Sequence, residues 1–328
     1  TWHEMELASQ EVINKGITSF QDAGSGWSTI EMFKRGVDEG ALQVRLWVMV
    51  RGENLDAETL KAGRLIGYGN HMLTVRAIKL AIEGALGPRG AWLLEPYSDE
   101  PTSSGHNTGD LVEIEATANL SIENGYQLCV HAIGDRGNRE VLDIYERTFK
   151  AHPEKAPGAR FRIEHAQHIH PDDVPRFGEL GVIPAMQAVH CTSDAPWVTP
   201  RLGAERAENG AYVWQDLMST GAVITNGTDA PVERVDPIAS FYSSVTRKPT
   251  TGEAFYPEQA MSRTEALRSY TLNNAFAAYE DDVKGSITVG KLADITILDQ
   301  DIMTIPSEQI KDAKVLYTII GGRILYQR

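Results

Sequence analysis

Five polar residues whose side chains could build a metal site are spread along the middle of the chain. They are Lys79, His131, His165, His190 and Asp229, and each lies in or just beyond a short segment with the composition of a β-strand. Neutral imidazoles and a carboxylate from different strands are ligands that suit Zn²⁺ or a similar divalent ion. His131, His165 and Asp229 are therefore predicted to bind one or two divalent ions.

Each of these residues also has a structural interpretation when it is considered alone. A histidine at a strand end often only makes hydrogen bonds, Asp229 could cap a helix, and Lys79 could form a buried ion pair with Glu83. The occurrence of all of them at successive strand ends favours the metal site.

Lys79 is the unusual member of the group. Ile78, Leu80 and Ile82 share one face of its strand, so Lys79 is predicted to point the other way, into the protein, as is His131. A lysine with an ordinary pKa of about 10.4 is a cation that repels metal ions. Carboxylation of Lys79 by CO₂ would remove the conflict, because the resulting carbamate is an anion that can bridge two metal ions.

The same alternation is less regular around His165. It places Phe161, Ile163 and His165 on one face of the strand and leaves Arg162 and Glu164 toward the helices, unless a bulge changes the pattern.

The elements that must position these residues alternate between β-rich and amphipathic segments, which is typical of βαβ units and a parallel sheet. We predict strands at residues 16–22, 42–50, 75–82, 127–130, 160–164, 182–187 and 223–226. We predict helices at residues 57–67, 109–124, 138–152, 171–180 and 213–219. The predicted fold class is α/β, a TIM-like (β/α)8 barrel that lacks its first strand, with its site at the carboxyl ends of the strands. A doubly wound sheet is the alternative, although no glycine-rich phosphate-binding turn follows the first predicted strand.

The end of the chain has a different character. Residues 285–298 combine turn residues with short alternating strands, and two further β-like segments, 315–320 and 323–326, follow. We predict a barrel domain at residues 1–282 and the C-terminal part of a small β-sandwich at residues 283–328.

Composition limits the classes of partner. The 328 residues include 31 Lys and Arg and 45 Asp and Glu, a net charge of −14, which argues against nucleic acid as a partner. No apolar run approaches the roughly 20 residues that a membrane helix needs.

Cys129 and Cys191 cannot form a disulfide framework. The chain starts at Thr1 without a signal-like segment, so we expect a natural N-terminus upstream and a cytoplasmic location.

Several short motifs resemble the amidohydrolase superfamily, and within it the branch that includes N-substituted formamide deformylase. The matching segments are residues 83–90, 131–136, 164–167, 186–190 and 227–233, with 285–295 and 318–322 in the tail. The resemblance implies a distorted barrel with a small β-sandwich formed by both chain ends. It also implies metal ligands from a His-x-His pair on the first strand, a carboxylated lysine on the fourth, histidines on the fifth and sixth, and an aspartate on the eighth.

Lys79, His131, His165 and Asp229 match the last four of these ligands, and His190 matches a position that contacts substrate. No His-x-His pair precedes Lys79. His168 and His170 follow His165 closely and are interpreted as loop or helix-entry residues. Because the first strand and the N-terminal half of the sandwich have no counterpart, the resemblance implies a chain truncated at its N-terminus.

The activity implied by the resemblance is hydrolysis of an amide or another non-peptide C–N bond in a small-molecule substrate by a metal-activated water. Asp229 would take the proton of the water and pass it to the leaving nitrogen. His190 would contact substrate and stabilise the oxyanion. Arg89 could bind a substrate carboxylate, or it could form a surface ion pair.

Two other functions remain open at this point. The same ligands could serve an ester or lactone hydrolase, because the fold does not select the bond. The chain could also be a catalytically inactive or truncated relative, and an exposed edge in place of the first strand could lead to homo-oligomers.

Overall fold

The computed structural model describes residues 1–52, 55–250 and 252–328. The strands in these residues are β1 (Ser19–Ser25), β2 (Arg45–Val50), β3 (Leu65–Gly67), β4 (Leu73–Ala81), β5 (Gln127–Ala132), β6 (Arg162–His165), β7 (Ile183–Met186), β8 (Thr225–Asn226), β9 (Ile295–Leu298), β10 (Val315–Ile320) and β11 (Arg323–Gln327). All seven strands predicted ahead of residue 227 are present, each within about three residues of its predicted bounds.

Helices occupy most of the connections between these strands. They are α1 (Trp2–Asn14), α2 (Trp27–Asp38), α3 (Ala57–Gly63), α4 (Tyr68–His71), α5 (Leu111–Asn124), α6 (Asp135–Ala151), α7 (Val174–Leu180), α8 (Ala188–Leu202), α9 (Ala204–Gly210), α10 (Trp214–Ser219), α11 (Pro237–Thr246), α12 (Arg263–Tyr270) and α13 (Leu272–Ala277). Short 3₁₀ turns lie at Ala156–Gly158, Pro171–Asp173, Pro257–Gln259 and Ser307–Asp312.

Capping residues explain several of the helix bounds. The side chains of Asp110, Asp236 and Ser262 accept hydrogen bonds from the first turns of α5, α11 and α12. The left-handed Gly125 and Gly181 end α5 and α7. Helix α8 has no counterpart among the predicted helices because it contains two prolines, which ordinarily interrupt a helical pattern.

The main sheet has the strand order of a barrel. Its parallel strands run β1-β2-β4-β5-β6-β7-β8, so each strand lies beside its neighbour in the sequence, and β3 pairs antiparallel with β4. A doubly wound sheet would reverse this order near its middle, and no reversal occurs among the described strands. The α/β fold with a barrel-like parallel sheet is therefore confirmed.

The sheet buries a different set of side chains on each of its two faces. The helix-facing side carries large aliphatic residues such as Val48, Val75, Ile78, Leu128 and Val130, all fully buried. The inner side carries a separate buried cluster, which consists of Trp47, Met49, Ala77, Cys129 and Ala278. This division follows from the two-residue period of a strand. In β4 the period is interrupted once by a register shift against β2, which puts Val75 and Ile78 on the same face.

The predicted orientation of Arg162 and Glu164 is wrong. In the sheet, Arg162 lies beside Cys129 and Glu164 beside His131, so both side chains face inward. They form a buried ion pair there, with 2.7 Å between Arg162 Nε and Glu164 Oε1. The helix-facing side is taken instead by Phe161, whose ring packs edge to face on Tyr145 with 5.0 Å between centroids.

Strict alternation along β6, with Arg162 and Glu164 facing inward, would turn the side chain of His165 outward. A change of backbone direction at His165 allows this side chain to face inward as well. His165 has φ of 76° and Ala166 has φ of 45°, both in the left-handed region. The chain thus turns at the last residue of β6, and the His165 ring reaches the His131 ring, with 4.4 Å between centroids. This turn replaces the bulge that the alternation pattern requires.

The tail forms a small antiparallel sheet of strand order β11-β10-β9. Residues 285–294, predicted to include short strands, adopt turns, and the first strand of the tail begins at Ile295. A buried bidentate ion pair joins the tail to β2: Arg45 Nε lies 2.6 Å from Asp294 Oδ2, and Arg45 Nη2 lies 3.0 Å from Asp294 Oδ1. The Thr318 hydroxyl also donates to the Ile13 carbonyl at 2.7 Å.

Two further observations bear on the predicted environment. Cys129 and Cys191 are buried free thiols. No helix in the described parts of the chain is long and apolar enough to cross a bilayer.

His168 is a buried histidine in the segment that follows β6. Its side chain packs edge to face on the Tyr212 ring, with 5.5 Å between centroids, and neither ring nitrogen has a hydrogen-bond partner among the described residues. Burial lowers the pKa of His168 to about 3. The folded protein therefore keeps this imidazole neutral at pH values where the unfolded chain protonates it.

We expect Asp294→Asn to lower the free energy of unfolding by roughly 3 kcal/mol, because it leaves the buried Arg45 guanidinium without its counter-charge. Denaturant unfolding followed by circular dichroism measures this loss. Asp282→Asn, at an exposed carboxylate in the same part of the chain, is the matched control. Equal stabilities of the two variants would contradict a structural role for the Arg45–Asp294 pair.

His168→Leu should make the stability less dependent on pH. Between its unfolded pKa of about 6.5 and its folded value of about 3, the unfolded state binds the extra proton, so stability falls as pH falls. From pH 7 to pH 5, the variant should lose about 2 kcal/mol less unfolding free energy than the wild type. His106→Leu controls for the loss of one exposed histidine. Identical pH profiles for wild type and His168→Leu would refute this assignment.

Candidate metal centre

Three polar side chains converge at the carboxyl end of the main sheet. The potential ligand atoms of His165, His190 and Asp229 all lie within 4.8 Å of one another. The His165 and His190 rings are stacked, with 5.9 Å between centroids, and His190 Nε2 lies 4.0 Å from Asp229 Oδ2. Both histidines are buried, whereas the Asp229 side chain keeps a third of its surface exposed. The group is therefore enclosed on one side and accessible on the other.

The backbone delivers each of these side chains by a different route. His165 ends β6 in a left-handed conformation, and Asp229 follows β8 with φ of 56°. His190 lies in the first turn of α8, where the Ala188 amide donates to Asn226 Oδ1 at 2.9 Å and so fixes the start of the helix to the end of β8. A strand end, a loop and a helix start thus supply one residue each.

His131 and Lys79 lie beside this group. The His131 ring meets the His165 ring edge to face. Lys79 shares the inner face of the sheet with His131, is 7% exposed, and donates from Nζ to the Leu80 carbonyl at 3.1 Å. No ion pair joins Lys79 to Glu83 among the described residues, so the alternative of a Lys79–Glu83 pair has no support in the structure.

Burial keeps the imidazoles in the form that binds metal. Burial lowers the pKa of His131 to about 4, with the neighbouring Lys79 charge acting in the same direction. Burial also lowers the pKa of His165 well below its usual value. The pKa of Lys79 is lowered by burial too, against the attraction of Glu164, and this favours the neutral amine that reacts with CO₂.

The donor set fits a divalent cation such as Zn²⁺. His131 Nε2 and His190 Nε2 are buried without a hydrogen-bond partner in the described structure. His165 Nδ1 lies 2.7 Å from Gln187 Oε1, an acceptor, so Nδ1 carries the proton and Nε2 keeps its lone pair. Imidazole nitrogens and a carboxylate oxygen are ordinary ligands for this class of ion.

The predicted site residues lie near one another in the structure, but they do not form a single group. The structure brings His131, His165, His190 and Asp229 together and places Lys79 on the same face. The three-residue group, however, includes His190, which the sequence analysis assigned to substrate, and does not include His131. The role of Gln187 in orienting His165 was not predicted, although Gln187 lies within a motif that carries the family resemblance.

Glu83 has a supporting role that the sequence analysis missed. Its carboxylate is 4% exposed and accepts from the Ile133 and Gly134 amides at 2.6 and 2.7 Å, and also from the Trp92 amide. These amides belong to the chain just after His131 and to the loop that follows β4. Glu83 therefore connects the ends of the strands that carry Lys79 and His131, at the positive N-terminus of α6.

Arg89 forms an ion pair with a side chain of the protein. Its guanidinium contacts Asp99 through two hydrogen bonds of 3.2 and 3.0 Å, and Arg201 contacts the same carboxylate. Arg89 is therefore in the surface ion pair that the sequence analysis gave as its alternative role. His170 lies away from the group as well, and its Nδ1 accepts from the Asp172 amide at 3.2 Å.

Known proteins resemble this chain over most of its length. Protein LONG AFTER FAR-RED 3 of Arabidopsis thaliana is 36% identical over 255 residues, which cover 77% of this chain and 43% of that protein. N-substituted formamide deformylase of Arthrobacter pascens is 22% identical over 318 residues, 95% of this chain and 58% of that enzyme. The chain thus spans about half the length of these curated relatives.

A solved structure and a family profile extend the comparison. An uncharacterised metal-dependent hydrolase from Pyrococcus horikoshii superposes with a TM-score of 0.80 at 28% identity, over 94% of this chain and 62% of that structure. The sequence profile of the amidohydrolase family matches residues 3–326. Because this match extends over nearly the whole sequence, the chain belongs to the amidohydrolase family.

Proposed function

We propose that this chain is the catalytic part of a metal-dependent hydrolase that cleaves an amide or another non-peptide C–N bond. The observation that carries the proposal is the convergence of His165, His190 and Asp229 at the carboxyl end of the sheet, with His131 and Lys79 beside them. Membership of the amidohydrolase family supports the reaction class.

The residues proposed to hold one or two Zn²⁺ ions are Lys79, His131, His165 and Asp229, with Lys79 as a carbamate formed from CO₂. A bound divalent ion would supply Lewis-acid chemistry that makes water nucleophilic near neutral pH and polarises a carbonyl. Buried neutral imidazoles suit this task because they present a lone pair without a prior loss of a proton.

Asp229 is proposed to move the proton during the reaction. Burial raises the pKa of Asp229, against the opposing effect of His190 and Lys79, so its carboxylate is a stronger base than an exposed aspartate. Its partly exposed side chain can reach both a water molecule and the leaving nitrogen of a substrate.

His190 has two mutually exclusive roles. Its unpartnered Nε2 could hold a metal ion with His165 and Asp229, or, in the tautomer with hydrogen on Nε2, it could donate to the oxyanion of the substrate. We favour the oxyanion role, in which Nε2 carries a proton and lies beside the carboxylate at 4.0 Å.

Arg89 is proposed to recognise a substrate carboxylate. This role requires the Arg89 side chain to exchange Asp99 for the substrate, and about a third of its surface is exposed for such an exchange.

Asp229→Asn should reduce kcat by about 100-fold or more while leaving the fold intact, because the amide cannot accept the proton. The measurement uses the purified chain supplied with zinc and bicarbonate and a panel of N-formyl amines, acylated amino acids and lactones. Asp282→Asn is the control. If the wild-type chain hydrolysed only the lactones of the panel, the proposed C–N specificity would be replaced by an ester specificity. An unchanged kcat in Asp229→Asn would remove Asp229 from the mechanism.

His190→Asn separates the two roles of His190. In the oxyanion role, we expect the zinc content to stay at the wild-type level while kcat falls more than KM changes. A loss of zinc from His190→Asn, measured by elemental analysis, would instead make His190 a metal ligand. A wild-type chain that remains free of zinc after addition of zinc and bicarbonate would favour an inactive relative.

A further inference from the structure

A cleft of about 530 Å³ opens at the opposite end of the main sheet from the candidate metal centre. Arg76, near the start of β4, and Tyr126, just before β5, line it, whereas His131 lies near the carboxyl end of β5. A strand rises about 3.3 Å per residue, so the five steps from Tyr126 to His131 separate the two places by roughly 16 Å. The cleft is therefore distinct from the candidate metal centre.

Four cationic side chains line this cleft, in a protein whose net charge is −14. They are Lys61, Arg64, Arg76 and Lys155, and none of them forms an ion pair within the described residues. The acidic residue in the lining, Glu123, has its carboxylate 3.9 Å from His152 Nε2. The chain has more acidic residues, 45, than lysines and arginines, 31. Four neighbouring cations without a carboxylate partner are therefore unusual for this chain and distinguish the cleft from the rest of its surface.

Backbone carbonyls explain part of this clustering. Arg64, Arg76 and Lys155 donate to the carbonyls of residues 124, 125 and 123 at the C-terminus of α5, over long distances of 3.3, 3.5 and 3.4 Å. Cations are favourable at the negative end of a helix. Each contact uses a single N–H group, however, so most of the donors on these side chains stay free for a ligand.

The position of Arg76 is held by aromatic packing. Its guanidinium lies over the Tyr279 ring, 3.7 Å from the centroid. Burial lowers the pKa of Arg76, and the charges of Arg64 and Arg160 add to this effect. Arg160 is already paired with Asp281 at 2.8 Å, whereas Arg64 and Arg76 lack any such partner in the described structure. A bound anion would relieve this repulsion.

We propose that this cleft binds a small organic anion with two or more negative charges, such as a phosphorylated or polycarboxylic metabolite. The guanidinium groups of Arg64 and Arg76 match phosphate and carboxylate oxygens, and Lys61 and Lys155 add charge at the rim. The volume of the cleft lies within the range of small-molecule sites. This site is independent of the proposed hydrolytic reaction.

Calorimetric titration of the full chain with pyrophosphate, and separately with citrate, tests the proposal at constant ionic strength. We expect saturable binding of at least one probe, and the preferred probe distinguishes phosphorylated from polycarboxylic ligands. The double substitution Lys61→Gln with Arg64→Gln, at two exposed side chains, should weaken this binding at least about tenfold, since each removes a charged donor. Arg76→Gln is a second variant with the same expected direction.

Two controls keep the outcome unambiguous. Arg323→Gln removes an exposed cation on β11, outside the cleft, and should leave probe binding unchanged. Asp229→Asn should also leave it unchanged, which separates the cleft from the candidate metal centre. The proposal is overturned if neither probe binds at millimolar concentration, if the double variant binds as tightly as the wild type, or if Arg323→Gln weakens binding equally.

Discussion

The burial of several ionisable side chains at one end of a parallel sheet is the constraint on which the candidate site depends. His131, His165 and Lys79 are all held where solvent cannot stabilise a charge, and their pKa values are lowered accordingly. Unpartnered buried nitrogens cost free energy in a protein without a ligand. An arrangement that retains such groups together is typical of a site whose ligand satisfies them, and this is the physical basis of the proposed metal centre.

Other buried charged groups near the site contact partners within the protein. Arg162 and Glu164 neutralise each other inside the sheet, directly below the histidines. Glu83 uses its carboxylate to hold the amides that follow His131. These groups support the site through a buried ion pair and through hydrogen bonds to backbone amides. His131 and His190 are the candidate ligands of this region, because their Nε2 atoms are lone-pair donors without a hydrogen-bond partner in the described structure.

The two ends of the sheet carry different kinds of side chain, and the parallel direction of the strands explains why they stay apart. All of the main strands except the short β3 run parallel, so every carboxyl end faces one side of the molecule and every amino end faces the other. The carboxyl side gathers imidazoles and carboxylates, whereas the amino side gathers Arg64, Arg76 and neighbouring lysines around the C-terminus of α5. A parallel barrel-like sheet can therefore hold two sites that share no residue.

The sequence by itself determined the strand positions, the α/β class and the candidate site residues, because the two-residue alternation and the ordered motifs are local properties of the chain. Only the tertiary structure decided which side chains meet. The register of β6 against β5 places Arg162 and Glu164 inside the sheet, and the left-handed turn at His165 brings that ring inward as well. The contact between β8 and α8 brings His190 toward Asp229, and Asp99 engages Arg89. These contacts depend on backbone turns and on partners distant in the sequence, and no local pattern encodes them.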